Sequence, residues 1–139
     1  MESLEQAKSY FDDALYERIK CDSCSGIADL FGRGLHLIAK AGEKVVGIVS
    51  FGAFTGGNVV MHPRIKQNHM IYALRVLKLS IDFVYQLKQF TRVLAIFPKK
   101  YKNNAKMAEK LGMTFNGTLP ESTSINGKLH DQLIYSMGV

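Results

Sequence analysis

Cysteine is scarce. The 139 residues hold two, Cys21 and Cys24, which excludes a disulfide scaffold. Together they make a single C-x-x-C, Cys21-Asp22-Ser23-Cys24. A structural zinc site needs four ligands, no second C-x-x-C exists, and His36 and His130 would complete a set only by an accident of folding. The pair reads as two unrelated loop thiols, and no metal is expected. Long apolar runs are also missing: nothing approaches the roughly 18 residues of a membrane span. Repeats, low-complexity tracts and linkers are absent, so residues 1–139 read as one domain. Met1-Glu2-Ser3-Leu4-Glu5-Gln6 is polar and acidic and does not read as a secretory signal, so a soluble, cytoplasmic protein is expected.

Acids are few where bases are many. Residues 62–110 hold eleven Lys and Arg against Asp82 and Glu109, a balance of +9. The remainder holds seven bases and ten acids, or −3, within a total of +6. A basic middle of this kind suits a phosphorylated ligand or a nucleic acid, although some of these charges also fall on a helix's solvated stripe.

The apolar pattern divides the chain. Leu4, Ala7, Phe11, Leu15 and Ile19 recur at helical spacing over residues 3–20, and residues 21–34 carry no period. Residues 35–40 and 45–54 read as an antiparallel hairpin around Ala41-Gly42-Glu43. Val59-Val60-Met61-His62 is a third strand, expected to stop at Pro63, which cannot donate to a ladder. Residues 69–90 form the clearest helix, with one apolar stripe at Met70, Leu74, Leu77, Ile81 and Val84. A second stripe runs through Val76, Leu79, Phe83, Leu87 and Phe90, and the pair predicts a helix buried around most of its circumference. Residues 93–97 are a continuous apolar strand. Residues 102–111 are a second helix with Gly112 as its stop. Residues 113–119 are a strand, 120–127 a loop ending in the hairpin turn Asn126-Gly127, and 130–137 the last strand. Strand 59–62, helix and strand 93–97 form a right-handed crossover between parallel strands. The fold class is therefore α/β (α+β): a mixed, mostly antiparallel sheet with helices on both faces.

This order and spacing resembles the GNAT N-acetyltransferase superfamily over about residues 3–137. The most specific part is Asn104-Ala105-Lys106-Met107-Ala108-Glu109-Lys110-Leu111-Gly112-Met113, which is similar to the family's helix ending in "aeklGF". Phe115-Asn116-Gly117-Thr118-Leu119 resembles the strand that follows it, and Asn126 to Met137 resembles the closing hairpin. Met61-His62-Pro63 resembles the strand end before the acyl-CoA loop.

The resemblance implies acetyl-CoA as cofactor and an amine as acceptor. It places the cofactor's pyrophosphate at the start of the long helix, where orphan N–H groups and the positive dipole end favour anions. The family's loop has a basic residue and two glycines. Here it reads Lys66-Gln67-Asn68-His69-Met70-Ile71, with Lys66 at the basic position and His69 and Ile71 at the glycines. Arg64, Lys66 and a cationic His69 would then grip phosphate by side chain. The backbone near Val60 or Met61 would polarise the thioester carbonyl.

On the second helix the family's asparagine position is Tyr101, with Asn103 and Asn104 close by, and the tyrosine-acid position is Ala108. The resemblance therefore supplies no general acid by position, and Tyr101 would approach the leaving thiolate with a shifted helix start. His62, at a strand end, is the candidate base because imidazole titrates near neutrality. Three functions are consistent with these residues. One is an acetyl-CoA-dependent N-acetyltransferase. The second is a catalytically silent GNAT-like module with protein partners in an assembly, similar to the compact internal virion proteins of short-tailed phages and then located in the virion. The third is a nucleic-acid-binding module using the basic 62–110 segment, including Lys99-Lys100-Tyr101-Lys102, where a ring lies among three cations.

Overall fold

The computed structural model describes residues 35–139, apart from the side chains of residues 53–54 and 67–69. The expectations for the helix over 3–20 and for Cys21 and Cys24 lie outside the described residues.

Leu35–Ala41 (β1) and Lys44–Thr55 (β2) form the expected hairpin, β2 being rich in the branched residues that suit a pleated ladder. Val45, Val46, Ile48, Val49 and Phe51 are all buried, so β2 is covered on both of its faces. Asn58–Ile65 (β3) returns antiparallel to β2, in register from Gly47–Ile65 to Gly52–Val60. After a 3₁₀ turn at Gln67–Tyr72, Ala73–Leu87 (α1) crosses to Arg92–Pro98 (β4), which lies parallel to β3. Lys102–Lys110 (α2) leads to Thr114–Ile125 (β5) and Lys128–Gly138 (β6). The six-stranded sheet has the order β1-β2-β3-β4-β6-β5, antiparallel everywhere except β3 with β4. This is the mixed, mostly antiparallel sheet expected from the sequence.

Side chains alternate along a strand, so each face of the sheet takes every second residue. Val49, Phe51, Val59, Met61, Val93, Phe97 and Tyr135 share one face and one core with Leu77, Ile81 and Val84 of α1 and Ala108 of α2. Both described helices therefore pack on this face. The second face is buried at Val46, Ile48, Ser50 and Val60.

Four expectations need correction. First, β3 does not stop at Pro63 but continues to Ile65. Second, the long helix is α-helical only over residues 73–87, its entry being the 3₁₀ turn and its end Lys88 in the left-handed region at φ 52°. Third, its second stripe is buried only in part: Val76 and Phe90 pack against the core, but Leu79 is 59% and Phe83 41% exposed. The sheet offers one flat face, and a helix lying on it covers a single arc, here Ala73, Leu77, Ser80, Ile81 and Val84. Fourth, the loop expected at 120–127 is mostly strand. β5 runs through Pro120 to Ile125, with an irregular register between Leu119 and Thr123 and Glu121 at φ 47°. β5 is an edge strand, where a missing donor and a bulge are tolerated.

Two turn expectations hold in detail. Asn126 and Gly127 both have positive φ (52° and 77°), as a two-residue hairpin turn requires. Gly112 has φ 87°. Its N–H donates to the Glu109 carbonyl, and the Met113 N–H donates to that of Ala108, both at 3.0 Å. These two bonds close α2 as a Schellman cap.

Candidate active site at the parting of β3 and β4

β3 has eight residues and β4 seven, yet they pair only at Asn58–Arg92, Val59–Val93 and Val60–Leu94. Beyond these pairs the strands separate, while β2 follows β3 on one side and β6 follows β4 along its full length on the other. The sheet therefore opens at the C-terminal ends of its two parallel strands.

Pro63 removes a donor that would be needed to close the opening beyond the last pair, Val60–Leu94. The Lys66 N–H donates to the Val46 carbonyl at 3.0 Å, which fixes the even-numbered residues of β3 as those whose backbone faces β2. The odd-numbered residues face β4, as the Gly57 carbonyl does in accepting from Arg92 N–H at 3.2 Å. Pro63 is odd, so the donor it lacks is one that β4 would need. Toward β2 it stands opposite Val49 at a position where no ladder bond is made, so the β2–β3 pairing loses nothing.

The candidate residues gather around this opening on different elements. Met61 is buried, its side chain in the helix-face core and its backbone turned toward β4 just past the last pair. His62 follows on the second face and is exposed to solvent. Its neighbours still crowd the ring, and His62 titrates below the usual 6.5, first because burial disfavours the cation and second because of the Arg64 guanidinium. Arg64 is 7% exposed and donates from Nη1 to the His62 carbonyl at 3.0 Å. It is a buried side chain tied to its own strand rather than a free phosphate grip. Lys66 is half-buried and leads into the 3₁₀ turn that contains Gln67, Asn68 and His69. In that turn Met70 is 43% and Ile71 88% exposed, so Ile71 projects from the backbone where the family has glycine.

Across the opening, Tyr101 precedes α2, its N–H bonded to the Pro98 carbonyl at 3.0 Å and Lys100 Nζ 5.3 Å from its ring centre. Asn103 and Asn104 lie exposed on the first turn of α2, where Asn104 N–H donates to the Tyr101 carbonyl. Lys99, Lys100 and Lys102 are exposed at the same end of the sheet. Among the described residues, no three of His, Cys, Asp and Glu come together, and no helix is long and apolar enough to cross a membrane.

Sequence reasoning missed the neighbours of His62. His36, Ser50 and His62 stand opposite one another across β1, β2 and β3, with His36 Nδ1 2.7 Å from Ser50 Oγ. The alternation within the predicted hairpin carried this information, since it puts His36 and Ser50 on one face once the register is known.

No family model and no curated protein sequence matches the chain. Solved structures do. A variant of the spermidine N-acetyltransferase SpeG from Vibrio cholerae superposes with TM-score 0.69 at 15% identity, over 74% of this chain and 63% of that one. The microcin C7 self-immunity acetyltransferase MccE, solved with acetyl-CoA and AMP, gives 0.69 at 22% identity, over 76% and 61%. A ribosomal-protein-S5-alanine acetyltransferase from Vibrio fischeri gives 0.64 at 20% identity, over 70% and 56%. The chain thus spans less than two thirds of the length of each of these proteins. With its parallel pair parted inside an otherwise antiparallel sheet, the chain has the GNAT fold.

Proposed function

We propose that this protein is an N-acetyltransferase that moves an acetyl group from acetyl-CoA to an amine at the opening between β3 and β4. The observation that carries the proposal is the parting of the two parallel strands after Val60 and Leu94. It leaves a slot in the sheet, bordered by backbone, next to a histidine held neutral at physiological pH. The residues present fit the cofactor by charge: Lys66 borders the helix entry, and Lys99, Lys100 and Lys102 stand at the same end of the sheet.

Acetyl-CoA supplies an acetyl group already activated as a thioester. The β3 backbone around Met61 borders the slot where the acetyl carbonyl would be polarised. Neutral His62 accepts the proton that the amine nitrogen loses as it bonds to the carbonyl carbon, while the carbon–sulfur bond breaks and CoA leaves as thiolate. Tyr101, at the start of α2, would return a proton to that thiolate, with water as the alternative donor. Lys66, Gln67, Asn68, His69 and Met70 at the helix entry, with Asn103 and Asn104 on α2, would hold the cofactor's polar arms.

Calorimetric titration with acetyl-CoA and with CoA tests this reading. Binding at one hundred times Kd stabilises the fold by about 2.7 kcal/mol, read as a rise in melting temperature. Thiol release with a panel of amines then follows turnover, and His62→Gln is expected to lower kcat about 10²- to 10⁴-fold with CoA affinity intact. Absence of both heat and stabilisation at millimolar ligand refutes the proposal and leaves a GNAT-fold module without catalysis.

A further inference from the structure

At the paired ends of β3 and β4, on the second face of the sheet, lies a shallow basin of about 430 Å³. Its polar wall is Asn58, Arg92, Thr114, Asn116 and Ser136, and its apolar floor is Leu94 and Ile134. The residues come from four neighbouring strands, β3, β4, β6 and β5. The register explains the assembly, since Asn58 stands opposite Arg92, Leu94 opposite Ser136, and Thr114 opposite Ser136.

The hydrogen bonds in the basin have a direction. Arg92 Nη1 donates to Ser136 Oγ at 2.9 Å. Ser136 Oγ in turn donates to Asn116 Oδ1. Ser136 is 3% exposed and spends its hydroxyl proton on this bond. Asn116 accepts through its carbonyl oxygen, so its amide N–H₂ takes no part in the bond to Ser136. Arg92 uses one of the five N–H donors of a guanidinium on Ser136. The Arg92–Ser136–Asn116 group therefore offers N–H donors and carries a positive charge. No carboxylate lines the basin. Chemistry of this kind selects a group that only accepts hydrogen bonds, and the planar fork of arginine matches two oxygens on one atom. Leu94 and Ile134 add an apolar surface that a bare inorganic anion would not use.

We propose that this basin binds a small carboxylate, its two oxygens on Arg92 and the Asn116 amide and its short apolar body on Leu94 and Ile134. The site is separate from the phosphate-binding loop proposed above and does not depend on acetyl transfer.

Butyrate and inorganic phosphate serve as probes in an amide NMR titration of the full chain, up to about 100 mM each, a range that captures millimolar binding. Butyrate is expected to shift the amides of Arg92, Thr114, Asn116 and Ser136 in a saturable way, and more tightly than phosphate. Arg92→Gln is expected to weaken butyrate about tenfold or more. Asn116→Asp keeps an acceptor for Ser136 but sets a like charge beside the ligand, and it is expected to abolish binding with the fold unchanged by circular dichroism. Lys128→Gln, an exposed base in the distant hairpin, leaves binding unaltered. Equal affinity for phosphate refutes a role for the apolar floor and with it the carboxylate assignment. Lack of saturable shifts, or shifts that survive unchanged in both basin variants, refutes the site altogether.

Discussion

Gly57→Ala tests whether the short parallel pairing is the hinge on which the opening depends. Gly57 accepts two backbone bonds on its carbonyl, from Thr91 N–H at 2.8 Å and Arg92 N–H at 3.2 Å, and so starts the β3–β4 ladder. A Cβ at position 57 would fall on Thr91 Oγ1, 3.0 Å from its Cγ2 and 3.1 Å from its Cβ. The outer two atoms can swing away by rotation about χ1. The Thr91 Cβ cannot, because its backbone is held by the same two bonds. The new methyl therefore either breaks those bonds or strains the join, an overpacking cost of about 1–3 kcal/mol. At a typical urea slope, 1.5 kcal/mol lowers the unfolding midpoint by about 1 M. Thr91 is exposed, so Thr91→Ala alone is expected to cost less than about 0.5 kcal/mol. In Gly57→Ala/Thr91→Ala two of the three close atoms are gone, and the double variant is expected to recover about 1 kcal/mol relative to the sum of the singles. Equilibrium urea unfolding of the four proteins completes the cycle. A Gly57→Ala midpoint equal to wild type, or a double variant that is merely additive, would refute the steric account of the join.

Other consequences can be checked with the same material. Leu77→Lys is expected to prevent folding, because Leu77 is 4% exposed, whereas Leu79→Lys should change stability by no more than about 0.5 kcal/mol; circular dichroism and urea midpoints separate the two. Gly112→Ala places a side chain at φ 87° in the α2 cap, and although no atom obstructs the methyl, a loss of about 1 kcal/mol is expected in the same assay. His62 takes up its proton less readily in the folded chain than in the unfolded one. Stability therefore falls as pH drops from about 6.5 through the lowered folded value, and is flat above and below that window. His62→Gln should remove that part of the pH dependence, as measured by melting temperature against pH. His69→Gly restores a family glycine at the helix entry, and calorimetry should show tighter CoA binding if the imidazole obstructs the phosphates.

The order of strands and helices was legible because it rests on signals that are local. The β-branched and aromatic run of 45–54, the Asn126-Gly127 turn and the Gly112 stop each need only a few neighbouring residues, and each is present as expected. What was not legible depended on distant partners. Leu79 and Phe83 have the spacing of a buried stripe, but burial requires a surface facing them, and the sheet faces the other side of α1. Pro120 and Glu121 read as loop because nothing nearby shows that β5 is an edge strand, where an interrupted ladder costs little. The polar basin was invisible for the same reason. Asn58, Arg92, Asn116 and Ser136 are far apart in sequence, and only the insertion of β6 between β4 and β5 makes them neighbours. Of the candidate site, Met61 and His62 were singled out from sequence, at a strand end that the structure moves on to Ile65. The tethering of Arg64 to the His62 carbonyl was not, since it depends on a rotamer.

Pro63 shows how one residue is read wrongly by a local rule and correctly by a structural one. The local rule says that a strand ends where a donor is missing. In a ladder, however, each residue addresses one neighbour at a time, so a missing donor matters only on the side to which that residue turns. On β3 that side is β4, and pairing with β2 passes through Pro63 undisturbed to Ile65. The parallel ladder, three pairs long, is what stops. A proline at position 62 or 64 would instead remove a donor to β2 and unsettle the strand that supports the site. Moving the proline by one position is thus a sharper probe than deleting it: His62→Pro should destabilise the β2–β3 pairing. Pro63→Val should leave β2–β3 intact and return a donor on the β4 side, letting the strands close by a further pair. Amide exchange would register the second outcome as new protection at residue 63, and an exchange rate there equal to that of a free amide would show that something other than the proline holds the strands apart.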